Sequence, residues 1–238
     1  MIVPTLVATP IGEIEEVRGL VKVNPAFQGR DFEDDLVRRL FDSGCILRGH
    51  FRLQSLQHSD LFLRFRDFSD FADNRAWAAQ HLAEAIRQLG IRFQSIAAPD
   101  TAGSQLADEI GETMTLSSRI LLLETDGSNH ITTSFVGDQV RFGERVLLVN
   151  DVVTAGAGVR TMMQAVDSAG GRVEGLGIFA SRATTNPAVP LENVPFPVAC
   201  LFTLVAANHG APGGPDNEKS CPICQSGQTE IIEARYLN

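Results

Sequence analysis

The chain has 238 residues, 44% of them hydrophobic and 21% charged, which suits a soluble folded protein with one substantial core and at most a small second lobe. A formal net charge of −9 argues against a nucleic-acid backbone as partner, and no apolar run reaches the length of a membrane span. The apolar start, Met1 to Pro10, is short and lacks a charged n-region, so no signal peptide is expected. Cys45, Cys200, Cys221 and Cys224 are too scattered for a disulfide framework, which makes a reducing cytoplasm the simplest home.

Residues 1–28 contain Pro4, Pro10, Gly12 and Pro25, show no clear period, and are set apart as an unassigned N-terminal extension. Asp31 to Ser43 predicts a helix, with Phe32, Leu36, Val37, Leu40 and Phe41 on one face and Gly44 as its stop. Alternation around Phe51/Leu53 and Leu61/Leu63/Phe65 predicts two short strands joined by Gln54 to Asp60. Asp73 to Leu89 reads as a second helix closed by Gly90, and Ile91 to Ala97 as a strand. Ala98-Pro-Asp-Thr-Ala-Gly-Ser104 then leads into a helix from about Gln105 to Met114. Ile120 to Leu123 is strand-like, and Glu124 to Gly137 is polar and rich in turn residues.

The most informative stretch runs from Val146 to Arg160. Val146 to Val149 reads as a strand buried on both faces, with Asn150 and Asp151 at its C-terminal end. Thr154, Ala155, Gly156, Ala157 and Gly158 form a small-residue loop, and Val159 to Ala169 carries apolar residues at helical spacing. Small side chains let backbone N–H groups approach an anion, and a helix N-terminus adds partial positive charge. An aspartate just before such a loop repels phosphate but suits sugar hydroxyls or a metal ion beside it. A phosphorylated sugar is the ligand this order of elements suggests. The spacing matches neither a P-loop nor G-x-G-x-x-G. Beyond it, Gly171 to Arg182 predicts a strand that closes a βαβ unit, and Pro197 to Ala207 another strand. The alternation from Ile91 onward predicts an α/β fold with a mostly parallel sheet flanked by helices.

The Val146 to Arg160 stretch resembles the signature of type I phosphoribosyltransferases, in which the loop holds a 5-phosphate and two acids hold ribose hydroxyls. The resemblance implies that Thr154 to Gly158 form the phosphate loop, with Asp151 as catalytic acid and metal ligand and Asn150 in place of the first acid. Pro99, Asp100, Thr101, Ala102 and Gly103 take the position of the loop that cradles diphosphate; Pro99, Thr101 and Gly103 match it and Asp100 and Ala102 do not. Gly49, His50, Phe51, Leu53, Ser55, His58 and Ser59 resemble the N-terminal hairpin of the orotate phosphoribosyltransferase branch, with Leu56 where that branch has glycine. Arg182 matches the arginine that contacts the base, and Ser55 is placed beside it as base-binding. The polar stretch 124–137 corresponds to a mobile loop that brings a lysine to the diphosphate. Here Lys22 and Lys219 are the only lysines, so His130, Arg141 or Arg145 would have to supply the charge, and His130 is the best placed.

Together the resemblance implies transfer of phosphoribose from 5-phospho-α-D-ribose 1-diphosphate to orotate, with Mg2+ as cofactor and a homodimer as the working state. It implies a domain over 29–210 topped by a hood built from the N-terminal hairpin and C-terminal segments. The competing expectation is a relative that binds a phosphoribosyl ligand without turnover, or one that accepts another base. Residues 211–238 form a tail with Cys221-Pro-Ile-Cys224. The C-x-x-C pair invites a zinc reading, but Cys45, Cys200 and His209 lie at no recognised metal spacing, so the tail reads mainly as structural. His50 and His58, taken alone, read as structural hydrogen-bonding residues.

Overall fold

The computed structural model describes residues 8–27, 30–114, 119–183, 194–227 (apart from 212 and 215) and 230–234. Two sheets organise them. The larger has seven strands: β2 (Val21–Val23), β5 (Ser95–Pro99), β6 (Arg119–Thr125), β7 (Ile131–Val136), β8 (Arg145–Val153), β9 (Arg172–Ala183) and β10 (Val198–Val205). Their spatial order is β2-β10-β9-β8-β5-β6-β7. The five inner strands run parallel, and only the edges β2 and β7 pair antiparallel. Fully buried runs such as Val146 to Val149 and Ile96 to Ala98 mark strands covered on both faces.

Six helices matter to the layers: α1 (Ile14–Leu20), α2 (Arg30–Ser43), α3 (Phe65–Ser69), α4 (Ala72–Gln88), α5 (Ala102–Thr113) and α6 (Ala157–Ser168). Residues of α1 to α5, among them Leu36, Leu40, Leu82, Ile86 and Leu106, pack with Phe179 and Phe202 of the sheet in the larger core. A second core forms on the other face, where Val159, Met162 and Val166 of α6 meet Leu121, Leu148 and Ile178. Helices therefore cover both sides of the sheet, as the alternation predicts.

The small sheet is the hood. Its centre is β3 (Ile46–Arg52), flanked by β4 (His58–Leu63), β1 (Thr9–Pro10) and β11 (Ile232–Glu233). Phe51, Phe62, Leu47 and Leu53 form its own apolar cluster. The β3–β4 pairing slips between Arg48 and Phe51, a bulge centred on Gly49 and His50. Gly49 is small by necessity, since a Cβ there would lie 2.9 Å from the Phe51 ring.

Three segments depart from the expectations. Residues 14–23, within the unassigned extension, form α1 and the edge strand β2, which pairs Val23 with Phe202. The polar, turn-rich stretch 124–137 carries an unassigned strand and forms a hairpin, because Ile131 to Val136 pairs back onto β6. Ile91 to Phe93 precede the strand, which starts at Ser95.

Candidate active site

Strand order alone locates a crevice. From β5 the chain crosses over α5 to β6 on one side, and from β8 it crosses over α6 to β9 on the other, so β5 and β8 are neighbours whose connections diverge. Ligands of open α/β sheets bind at such a switch point, beyond the carboxyl ends of the strands. The register shows the opening. Pairing of β8 with β5 ends at Leu148, whereas pairing with β9 continues to Val153. Asn150 to Val153 therefore line an edge that β5 has left. A cleft of about 750 Å³ opens there.

Two helix N-termini enter this cleft, one from each neighbouring strand. The cap residue of α6 is Gly156, whose φ of 73° lies in the left-handed region that favours glycine. The cap of α5 is Thr101. Neither helix has a side-chain cap hydrogen bond, so the first backbone N–H groups of each face the cleft with their share of the helix dipole. Close approach is built in: a Cβ on Gly103 would lie 3.0 Å from Pro99 Cδ, and one on Gly158 would lie 3.0 Å from Ile131 Cδ1. Thr154 to Gly158 and Pro99 to Thr101 both line the cavity, and Ala102 begins α5 directly behind them.

Asp151 lines the same cleft as these two positive ends. Burial raises its carboxyl above the ordinary carboxylate range, against smaller opposing contributions from the backbone N–H groups of Val152 and Asp151. Asn150 is buried, and its Oδ1 accepts the Asp151 backbone N–H at 2.9 Å. Asp100 faces the same cavity, and its carboxylate accepts the Thr125 hydroxyl at 2.7 Å.

The walls come from the hood and the hairpin. Gln54 and Ser55, in the β3–β4 loop, line one side; Asn129, His130 and Ile131 line the other. Gln54 Nε2 donates to the Asn129 carbonyl at 3.2 Å, so the two walls touch across the opening. His130 is exposed, with Nδ1 3.4 Å from Asp126 Oδ2. Asp126 accepts the backbone N–H groups of His130 and Ser128, which hold its carboxyl below the usual range and fix the turn.

A family-model scan of the sequence finds no match. Comparison with curated proteins finds the orotate phosphoribosyltransferase of Pelotomaculum thermopropionicum, 31% identical over 194 residues, covering 82% of this chain and 93% of that one. The chain belongs to the orotate phosphoribosyltransferase family. Solved structures agree on the fold. The orotate phosphoribosyltransferase of Aeropyrum pernix superposes with a TM-score of 0.56 at 19% identity, over 71% of this chain and 91% of that one. The Mycobacterium tuberculosis H37Rv enzyme of the same name, in complex with inorganic phosphate, gives 0.52 at 23% identity, over 74% and 97%.

Against the expectations for this orotate phosphoribosyltransferase family member, the cleft gathers Asn150, Asp151, Thr154 to Gly158, Pro99 to Thr101, Ser55 and His130, while Ala102 and Gly103 are not among its described lining residues. Arg182 lies elsewhere. It is 3% exposed and lies outside the cleft lining, because the hood packs over it. Its guanidinium donates to the Ser59 hydroxyl, to Asn208 Oδ1 and, at 3.3 Å, to the Leu61 carbonyl. Burial lowers its pKa to about 10, with Asp60 opposing. In this structure Arg182 ties β9 to the hood. Arg141 and Arg145 also lie outside the lining, and among the described residues the arginine that does line the cleft is Arg66. It sits on α3, a helix of five residues too short to show a period in the sequence.

No helix among the described residues is long and apolar enough to cross a membrane.

Proposed function

We propose that the chain transfers the 5-phosphoribosyl group from 5-phospho-α-D-ribose 1-diphosphate to orotate, giving orotidine 5′-monophosphate and diphosphate. The observation that carries this reading is the pair of helix N-termini, α5 and α6, without side-chain caps and opening on one cleft that Asp151 also lines. The α6 end suits the 5-phosphate, the α5 end suits the diphosphate, and the spacing between them is left for a ribose. In the reaction the bond from C1 of the ribose to the diphosphate oxygen breaks and a bond from C1 to the base nitrogen forms. Positive charge develops on the sugar and negative charge on the leaving group. Asp151 orients the ribose hydroxyls and faces the developing positive charge, while the Thr101 to Gly103 backbone and Arg66 receive the negative charge. His130 adds a donor from the hairpin when it closes.

The donor set fits a hard divalent cation, since the carboxylates of Asp100 and Asp151 supply oxygen. Mg2+ is the ion we assign, held by Asp151 with Asp100 beside it; bound there, it would neutralise diphosphate charge. Ser55 and Gln54 face the base side of the cleft. A homodimer and a cytoplasmic location complete the proposal, on the strength of the family resemblance.

A second reading has a specific observation behind it. Asn150 brings no charge to the ribose side, and lysine is absent between Lys22 and Lys219, which suits a relative that holds a phosphoribosyl ligand without turnover. The test is diphosphate release from the sugar diphosphate and Mg2+, with orotate and then a panel of other bases. Orotate-dependent release establishes the first reading. Release only with another base corrects the acceptor, and binding without release across the panel establishes the second.

A further inference from the structure

Outside the active cleft the structure brings together four side chains that the sequence keeps far apart. His50 and His58 come from the β3–β4 hairpin, and Cys221 and Cys224 from the C-terminal tail, at separations of 163 to 174 residues. Their ligand atoms all lie within 4.8 Å of one another. The bulge at Gly49 and His50 sets the first of them: Phe51 points into the hood core and His50 to the opposite face. His58 opens the partner strand, opposite Arg52. Cys221 is the N-cap of a helical turn, Pro222–Gln225, and Cys224 lies within that turn, which starts on proline and is followed by Gly227 at a φ of 86°. His50, His58 and Cys221 are fully buried, and Cys224 is half-buried.

Hydrogen bonding alone does not account for this convergence. Nε2 of His50 lies 2.9 Å from His58 Nδ1, 3.6 Å from Cys221 Sγ and 3.5 Å from Cys224 Sγ. One imidazole nitrogen carries a single proton or a single lone pair, so it serves one such partner, not three. A cation at the centre serves all four groups at once. Tetrahedral zinc, with Zn–N of about 2.0–2.1 Å and Zn–S of about 2.3 Å, separates nitrogen from sulfur by about 3.5 Å. The observed N···S separations are 3.6, 3.5 and 3.3 Å. The two nitrogens, at 2.9 Å, stand closer than the roughly 3.3 Å of the same tetrahedron, so binding would spread the rings slightly.

We propose that His50, His58, Cys221 and Cys224 bind a structural zinc ion that fastens the C-terminal tail to the hood. Four protein ligands fill the coordination shell and leave no position for water or substrate, which makes the site structural rather than catalytic. Soft thiolate with imidazole selects zinc over magnesium, so this site is chemically separate from the cleft. Its effect reaches the cleft through the loop it anchors. His58 and His209 exchange backbone hydrogen bonds of 3.0 and 2.8 Å. Gln57 Nε2 donates to the Gly210 carbonyl at 2.8 Å, the Gly213 N–H to the Ser55 carbonyl at 2.8 Å, and Asn217 Nδ2 to the Leu56 carbonyl at 2.7 Å. The ion thus holds the tail that holds the loop carrying Gln54 and Ser55.

The experiment is metal analysis of the full chain, purified without chelators, with thiol titration before and after chelation. About one zinc per chain is expected, with Cys221 and Cys224 becoming reactive when the metal is removed while the buried Cys45 and Cys200 stay protected by the fold. Co2+ exchange should give the visible absorption of a tetrahedral thiolate site. Cys221→Ser and Cys224→Ser should lose the metal, while Cys224→His and Ser226→Ala should keep it. Chelation should also speed proteolysis between residues 209 and 227. Protein that purifies without zinc, or thiol reactivity unchanged by chelation, would overturn the proposal. So would a Cys221–Cys224 disulfide in protein isolated under reducing conditions, or zinc that persists in both serine variants. If the serine variants do not fold, the thiol titration of the unaltered chain decides alone.

Discussion

Asp151 works under strain that its position makes necessary. Burial raises the Asp151 carboxyl in the folded protein above its value in the unfolded chain, which ionises in the ordinary range. Stability contributed by the neutral form is complete at acid pH and is lost as pH rises through the folded-state value. In Asp151→Asn that loss disappears. The ligand-free variant should unfold at higher urea than the parent at pH 7, with the difference closing toward acid pH, while phosphoribosyl transfer falls by about 100-fold or more. Equal urea midpoints at both pH values would reject this account. Leu56 is a second residue under strain. Its φ is 63°, in the left-handed region, where the resemblance places glycine. Its side chain is exposed, so its removal forfeits little packing. Leu56→Gly should raise stability by about 1 kcal/mol, read as a higher urea midpoint at constant slope; a lower midpoint would mean that the side chain packs in solution. Single residues also show how far a sequence can be read. Asp151 was legible because its neighbours in sequence are its neighbours in the site. Arg182 was not, because its contacts with Ser59 and Asn208 depend on where the hood lands.

Among elements, the start of α6 binds by backbone rather than side chain. Ala157 is exposed at its first position, and Gly156 before it offers no side-chain cap. An aspartate at 157 would place its own carboxylate on the dipole end that a phosphate otherwise fills. Ala157→Asp should therefore stabilise the ligand-free protein by about 0.3–1 kcal/mol while raising the KM for the sugar diphosphate. A variant that is no more stable and binds as before would show that the anion sits elsewhere. The strand–loop–helix units on β5 and β8 were visible in sequence because each is local. What joins them is the strand order, which no local pattern encodes. Strand β7 of the hairpin was not assigned for a related reason. Ile131 to Val136 is polar enough to read as loop, and becomes a strand only because β6 offers it an edge.

For the whole molecule, the hood is held from two directions. Arg182 ties it to the large sheet from beneath, and the tail grips it from the far end of the chain. The α/β body was largely predictable from alternating periods of apolar residues. The hood's closure was not, since its four metal-ligand candidates and its short strands β1 and β11 gain meaning only by meeting in space. The sequence showed the C-x-x-C half of that cluster without its partners.

The two dipole ends that open on the cleft have a consequence at the bench. A site shaped by backbone N–H groups does not distinguish a substrate's phosphate from the buffer's. Orthophosphate or sulfate in the medium should occupy one or both ends, so the protein should melt higher in phosphate than in an amine buffer at equal pH and ionic strength, by the logarithmic dependence of ligand stabilisation. The same ions should slow turnover competitively with the sugar diphosphate. Storage in phosphate and assay without it would then be the sensible pairing, and identical melting in the two buffers would argue that the helix ends are not where anions go.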